Sequence, residues 1–94
     1  MIEVKAISKK TKEETTVRAR PMTEEEVQRM REAGHDIMMQ DELTTKSSIL
    51  MFDWIVANVY GEYDFKKISY PNKIKLARTT FRLTYGLEED EKNS

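Results

Sequence analysis

Cysteine is absent from the 94 residues, so neither a disulfide nor a thiolate metal site can staple the fold. Histidine is nearly absent: His35 stands alone, with no His or Cys companion to build a transition-metal site. Glycine is scarce, three in all and none clustered, which argues against a phosphate-cradling loop and a nucleotide fold. The longest nearly unbroken apolar run, Ile49–Val59, is interrupted by Asp53 and Asn58 and is too short for a membrane span. The N-terminus lacks the apolar stretch of a signal peptide. Repeats and low-complexity segments are also missing. Catalytic chemistry therefore has little to work with. There is no thiol, and His35 sits between Gly34 and Asp36 as in a solvated turn. No catalytic residue, metal or cofactor is expected, and an intracellular, soluble, non-enzymatic protein is the default reading.

What is present is charge. Sixteen basic and 17 acidic side chains make up 35% of the chain, against 38% apolar residues. A single domain of this length buries only about 60–65% of its unfolded surface, so stability is expected to be modest and helped by a partner or by self-association. The charges come in blocks. Residues 35–65 carry Asp36, Asp41, Glu42, Asp53, Glu62 and Asp64 against Lys46 alone. Residues 66–86 carry Lys66, Lys67, Lys73, Lys75, Arg78 and Arg82 and no acid. Such blocks neutralise each other within a fold or between copies, or present an anion-binding face.

Ile2, Val4 and Ala6 alternate with Glu3 and Lys5, and Thr15, Val17 and Ala19 alternate with Thr16, Arg18 and Arg20. Two period-two runs around a polar connector predict a β-hairpin over 1–20. The connector Ser8–Glu14 has no Gly, Asn or Asp, which predicts a longer loop in place of a two-residue turn. A lone hairpin is marginal in water, and its edge can recruit another strand.

Pro21 ends the second strand. Thr23 and Glu26 have capping-box spacing, Met22 and Val27 occupy staple positions, and Glu24–Glu26 suit the positive end of a helix dipole. A short helix to about Ala33, closed by Gly34, follows. The stretch His35–Thr45 fits a short helix or an irregular link. Its Met38–Met39 pair is flexible apolar surface, suited to core packing or to an adaptable docking spot. A second helix is predicted from Ser47 or Ser48 to Tyr60. Its apolar residues surround the whole axis, so either it is the centre of a tight bundle or one side is an interface. Glu62–Ser69, with Tyr63, Phe65 and Ile68 alternating, reads as an extended connector over the core. Pro71 then opens a third helix. Ile74, Ala77, Phe81 and Tyr85 form one of its stripes, Leu76, Thr80 and Leu83 an adjoining one, and Lys75, Arg78 and Arg82 the polar face. Gly86 caps it. Asp53, on the apolar helix, pairs with a cation of the basic helix, marks the one wet strip of its own helix, or is buried with a raised pKa.

The string from Phe52-Asp53-Trp54-Ile55 through Tyr60, Tyr63-Asp64-Phe65 and Tyr70 to Lys75-Leu76-Ala77 and Thr80-Phe81-Arg82-Leu83-Thr84-Tyr85-Gly86 resembles small tail assembly chaperones of long-tailed bacteriophages. The resemblance covers about 35 residues and leaves the N-terminal third outside it. It implies a protein of the host cytoplasm that binds the tape measure protein, keeps it soluble while tail tube subunits assemble, and is not found in the mature virion. It also implies that a frameshift-extended form would diverge near Glu88–Ser94.

The expected architecture is α+β: one domain over 1–86, with a hairpin (1–20) followed by three or four helices packed as a small bundle (23–85), and a disordered acidic tail over 87–94. The expected partner-binding residues are Met51, Trp54, Ile55, Leu76, Thr80 and Leu83, on helix faces that a small core leaves uncovered. Lys75, Arg78 and Arg82 would steer acidic client segments. The expected partner is the tape measure protein, with the tail tube protein and other copies of the chain as further candidates. Two alternatives remain: a small DNA-binding regulator using helix 72–85, or a homo-oligomeric phage structural subunit. The low pI of about 5.9 and a ten-residue linker between the two main helices argue against a DNA-binding helix pair.

Overall fold

The computed structural model describes residues 2–39, 44–65 and 68–87. It is an α+β fold, in the order β1 (Glu3–Ser8), β2 (Glu14–Arg18), α1 (Glu24–Glu32), a 3-10 turn (Ile37–Met39), α2 (Thr45–Val59), β3 (Tyr63–Asp64) and α3 (Tyr70–Thr84). The acidic segment 88–94, expected to be disordered, lies outside the described residues.

The hairpin forms where the alternation places it. β1 and β2 are antiparallel, with Val4 opposite Val17 and Ala6 opposite Thr15. Val4, Ala6, Val17 and Ala19 are buried on the inner face, while Glu3, Lys5, Thr16 and Arg18 face outward and are exposed. The connector is a loop closed by Ser8 N–H donating to Glu13 C=O (2.9 Å) and Lys12 N–H to Ser8 C=O (2.8 Å). The Ser8 and Thr11 hydroxyls accept from Thr11 N–H and Glu13 N–H, supplying the turn bonds that Asn or Asp would ordinarily make. With no glycine available, Lys12 adopts the left-handed conformation (φ 64).

The extended connector contributes a third strand, so the sheet is more than the hairpin expected. The strand order is β2-β1-β3, with Ile7 opposite Asp64 and Ser8 opposite Tyr63. Lys9 N–H extends the pairing to Glu62 C=O at 2.9 Å. Two paired residues carry too little periodicity to announce a strand.

Local chemistry sets the helix ends. Thr23 caps α1 with a complete capping box: its hydroxyl accepts from Glu26 N–H, and the Glu26 carboxylate accepts from Thr23 N–H. α1 closes in a Schellman motif, with His35 N–H on Met30 C=O and Gly34 N–H on Arg31 C=O and Gly34 at φ +78. α3 closes the same way, with Leu87 N–H on Arg82 C=O, Gly86 N–H on Leu83 C=O and Gly86 at φ +69. Both glycines supply the left-handed residue that the motif needs. α2 starts earlier than predicted. Its cap is Thr44, whose hydroxyl accepts from Ser47 N–H (3.0 Å), so the serines lie in its first turn. Ser69 caps α3, with Pro71 in the first turn.

One core joins the layers. α2 packs along α3 and against α1, and α3 reaches back to β1. Met30, Met51, Ile55, Leu76 and Thr80 are the largest side chains that are fully buried.

Lys12 yields a direct prediction. The left-handed conformation costs a non-glycine residue about 1–2 kcal/mol, of which glycine returns part through its freer unfolded chain. K12G should therefore stabilise the domain by about 0.5–1 kcal/mol and raise Tm by roughly 2–8 °C. A melting temperature at or below that of the parent would contradict this turn.

Candidate functional site

The helix pair expected to hold a partner is first of all the centre of the molecule. Met51, Ile55, Leu76 and Thr80, four of the six expected contact residues, have no solvent exposure. Met51, Ile55 and Leu76 belong to one core cluster with Val4, Ala6 and Val17 of the sheet. The chain finds enough cover for that side of α2 because the sheet and α1 supply apolar residues from two further directions. Trp54 and Leu83 are half-buried against the same core. Lys75, Arg78 and Arg82 are exposed on the outer face of α3, and Arg82 also donates to Leu87 C=O at 3.1 Å.

A polar seam runs through this core. Arg20, just past β2, donates its backbone N–H to the Tyr60 hydroxyl at 3.1 Å. Thr80 Oγ1 lies 2.6 Å from that hydroxyl and donates to Leu76 C=O at 2.9 Å. Since the threonine proton is committed to the carbonyl, the Tyr60 hydroxyl donates to Thr80. The chain Arg20 N–H to Tyr60 to Thr80 to Leu76 C=O thus ties β2, α2 and α3 together, and each buried group is satisfied. The Arg20 guanidinium forks onto the Glu26 carboxylate, at 2.8 and 3.0 Å, and lies 5.8 Å over the Tyr60 ring. This bidentate bond, stronger than the burial that opposes it, holds the Glu26 carboxyl down to about 2, with Thr23 N–H assisting.

A second polar knot fastens the end of α3. Asp36 is buried, at 2% exposure. It accepts from Arg31 Nε at 2.9 Å, from Met38 N–H at 3.0 Å and from the Tyr85 hydroxyl. Burial pushes the Asp36 carboxyl up, but the three donors outweigh it and leave it below its ordinary value. Burial, and then the neighbouring carboxylate, push the Tyr85 hydroxyl up. The aspartate read from sequence as part of a solvated turn is therefore a buried clamp. Its partners lie 5 and 49 residues away, and the second separation left no local signal.

The exposed apolar side chains lie elsewhere. Met38 and Met39 are 53% and 67% exposed, and Ile49 and Leu50 are 38% and 44% exposed; Tyr70 at the start of α3 and Leu87 just past its end are exposed singly. The 3-10 turn packs against α2. Five chain steps separate Met39 from Thr44, a span of at most about 18 Å, and Ile49 lies roughly 7–8 Å further along the helix. The Met pair, read from sequence as core packing or an adaptable docking spot, is exposed, and Ile49 and Leu50 belong to the helix that is apolar all round. A cleft of about 390 Å³ opens further along α2, lined by Lys9, Val56, Tyr63, Phe65 and the Asp53–Lys73 pair. Asp53 meets Lys73 at 3.8 Å, the pairing with a cation of the basic helix that the sequence offered. No group of three or more potential metal ligands occurs among the described residues. None of their helices is long and apolar enough to cross a membrane.

No protein-family model, curated protein or solved structure matches the chain.

Two predictions follow from the seam. Glu26 titrates near 2 in the folded chain and near 4.5 when unperturbed. Its stabilisation is therefore fully present above pH 4.5 and lost as pH falls through about 2. Because the Arg20 side chain is 44% exposed, solvent screening reduces the effect, and E26Q should cost about 1–2 kcal/mol at pH 7 and flatten the acid limb of the stability curve. A steep acid limb unchanged in E26Q would count against it. T80V leaves the Tyr60 hydroxyl proton without an acceptor and should cost about 1–3 kcal/mol. Y60F added to T80V should cost less than the sum of the two single changes. Strict additivity in denaturant melts would mean the two hydroxyls are not coupled.

Proposed function

We propose that the chain is a non-catalytic tail assembly chaperone of a long-tailed bacteriophage, binding the tape measure protein and keeping it soluble in the host cytoplasm during tail assembly, outside the mature virion. The protein-binding part of this reading rests on one observation: Met38, Met39, Ile49 and Leu50 remain exposed around the start of α2 in a chain with few apolar residues to spare. Unbranched methionines beside aliphatic residues make a surface that adapts to an amphipathic helix. Lys75 and Arg78, exposed along α3, would speed the encounter with acidic client stretches. The client itself is supplied by the resemblance of Phe52–Gly86 to such chaperones. Much of that string (Tyr60, Leu76, Ala77, Thr80 and Phe81) is buried, so the shared residues are chiefly those that build the helix pair, and the docking surface lies beside them.

A second reading, a small DNA-binding regulator, is favoured by the turn-spaced cations Lys75, Arg78 and Arg82. Three phosphate contacts would give a salt slope no steeper than about −3. Duplex retardation at low salt with that slope would support it.

The chaperone reading is tested by co-expression with the tape measure protein of the same phage. The parent chain should hold that protein in the soluble fraction. M39S together with L50S, both at exposed positions, should leave the fold intact and weaken the complex roughly tenfold. A tape measure protein equally soluble with the variant, or with no partner at all, would refute the reading.

A further inference from the structure

The sheet of the described residues ends in β2. In the order β2-β1-β3, β2 has a strand neighbour on one side only among the described residues. Glu13 and Ala19 turn their peptide groups toward β1, where Glu13 C=O accepts from Ser8 N–H and Ala19 N–H donates to Ile2 C=O. By strand alternation, Glu14, Thr16 and Arg18 direct theirs outward. Proline, lysine and a bulge, each of which blunts an edge, are absent from Glu14–Arg18, and its two charges, Glu14 and Arg18, are of opposite sign. Along this edge the outer-face side chains read acid, hydroxyl, base, so the order is complementary to its own reverse.

We infer that β2 pairs antiparallel with β2 of a second copy about a two-fold axis through Thr16. That register brings Thr16 opposite Thr16 of the second copy and sets Glu14 of each copy opposite Arg18 of the other. Those are the positions whose peptide groups point outward, so the backbone ladder and the ion pairs select the same register. On the inner face, Thr15 meets Val17 of the second copy and continues the buried side of the sheet. On the outer face, each Arg18 lies between Glu3 of its own chain, its register partner across β1, and Glu14 of the other. Each Glu14 keeps Lys5 (3.6 Å) on its own side. Within Glu14–Arg18 like charges do not stand directly opposite, whereas a parallel pairing would set Glu14 beside Glu14 and Arg18 beside Arg18. The product is a six-stranded sheet with the helices of both copies on one face. A five-residue edge buries less than the roughly 1,200 Å² of stable interfaces, so the dimer is transient, with Kd about 0.1–1 mM. This pairing uses neither the exposed Met–Leu surface nor the basic stripe and is independent of the client proposed above.

Sedimentation of the full chain from about 10 µM to about 1 mM should show the mass rising from 11.1 kDa toward twice that value. T16P removes an outward N–H and spares the β1 pairing, so it should keep its circular dichroism and abolish the rise. E14R and R18E should each weaken association, and the two together should restore it. T16C supplies the only cysteine of the chain. At a hydrogen-bonded pair, with Cα atoms about 5.5 Å apart, it should oxidise to a covalent dimer at least tenfold faster than Q28C, placed on exposed α1. A mass fixed at 11.1 kDa over that range would overturn the inference and leave the edge to water or to a foreign strand. A dimer indifferent to T16P and E14R, or equal oxidation of T16C and Q28C, would place association elsewhere and overturn it as well.

Discussion

Tyr60 hands its hydroxyl proton to Thr80 while accepting the Arg20 backbone N–H, and the arrangement of the helices over the sheet depends on that buried relay. Three segments that share no local sequence meet at this oxygen: the end of the hairpin, the last turn of α2 and the middle of α3. A chain with 38% apolar residues has little spare hydrophobic burial with which to fix relative orientation. Apolar contact is non-directional, but a buried hydroxyl chain that must be fully satisfied admits few geometries. The Arg20–Glu26 fork works at the same junction. It fixes the exit of β2 against the start of α1, and Glu26 serves the capping box with the oxygen it also offers to Arg20 Nη1.

The fold thereby decides which surfaces remain for function. Once Met51, Ile55, Leu76 and Thr80 are used to hold the monomer together, apolar side chains remain at the start of α2 and in the preceding turn. Cations lie along the outer face of α3, and β2 forms the edge of the sheet among the described residues. Each has different physics. The Met–Leu surface offers adaptable apolar contact, the cations offer long-range attraction, and the edge offers backbone hydrogen bonds in a defined register. A small protein can offer all three because the chemistry of each sits on a separate element.

Much of this was written locally. The hairpin follows from the alternation of Ile2–Ala6 and Thr15–Ala19, and the start of α1 from Thr23 and Glu26. The two Schellman closures follow from Gly34 and Gly86, and α3 from its two apolar stripes. The misses have physical causes. Thr44 outcompeted Ser47 and Ser48 as a cap, since all three can accept the same kind of N–H and Ser47 itself donates its N–H to the Thr44 hydroxyl. β3 is too short to show a period. Asp36 looked like a turn residue because its chief partner, Tyr85, is 49 positions away.

Periodicity, caps and glycines act within a few residues, so the chain alone determined its elements, their ends and the charge carried by each face. Which side of the apolar α2 would be covered was a different kind of question. Its answer required the sheet, α1 and α3 to arrive from distant parts of the chain and close on Met51 and Ile55. Only the assembled structure could divide that helix into a buried half and an exposed start, because burial depends on what lies opposite a side chain as well as on the side chain itself.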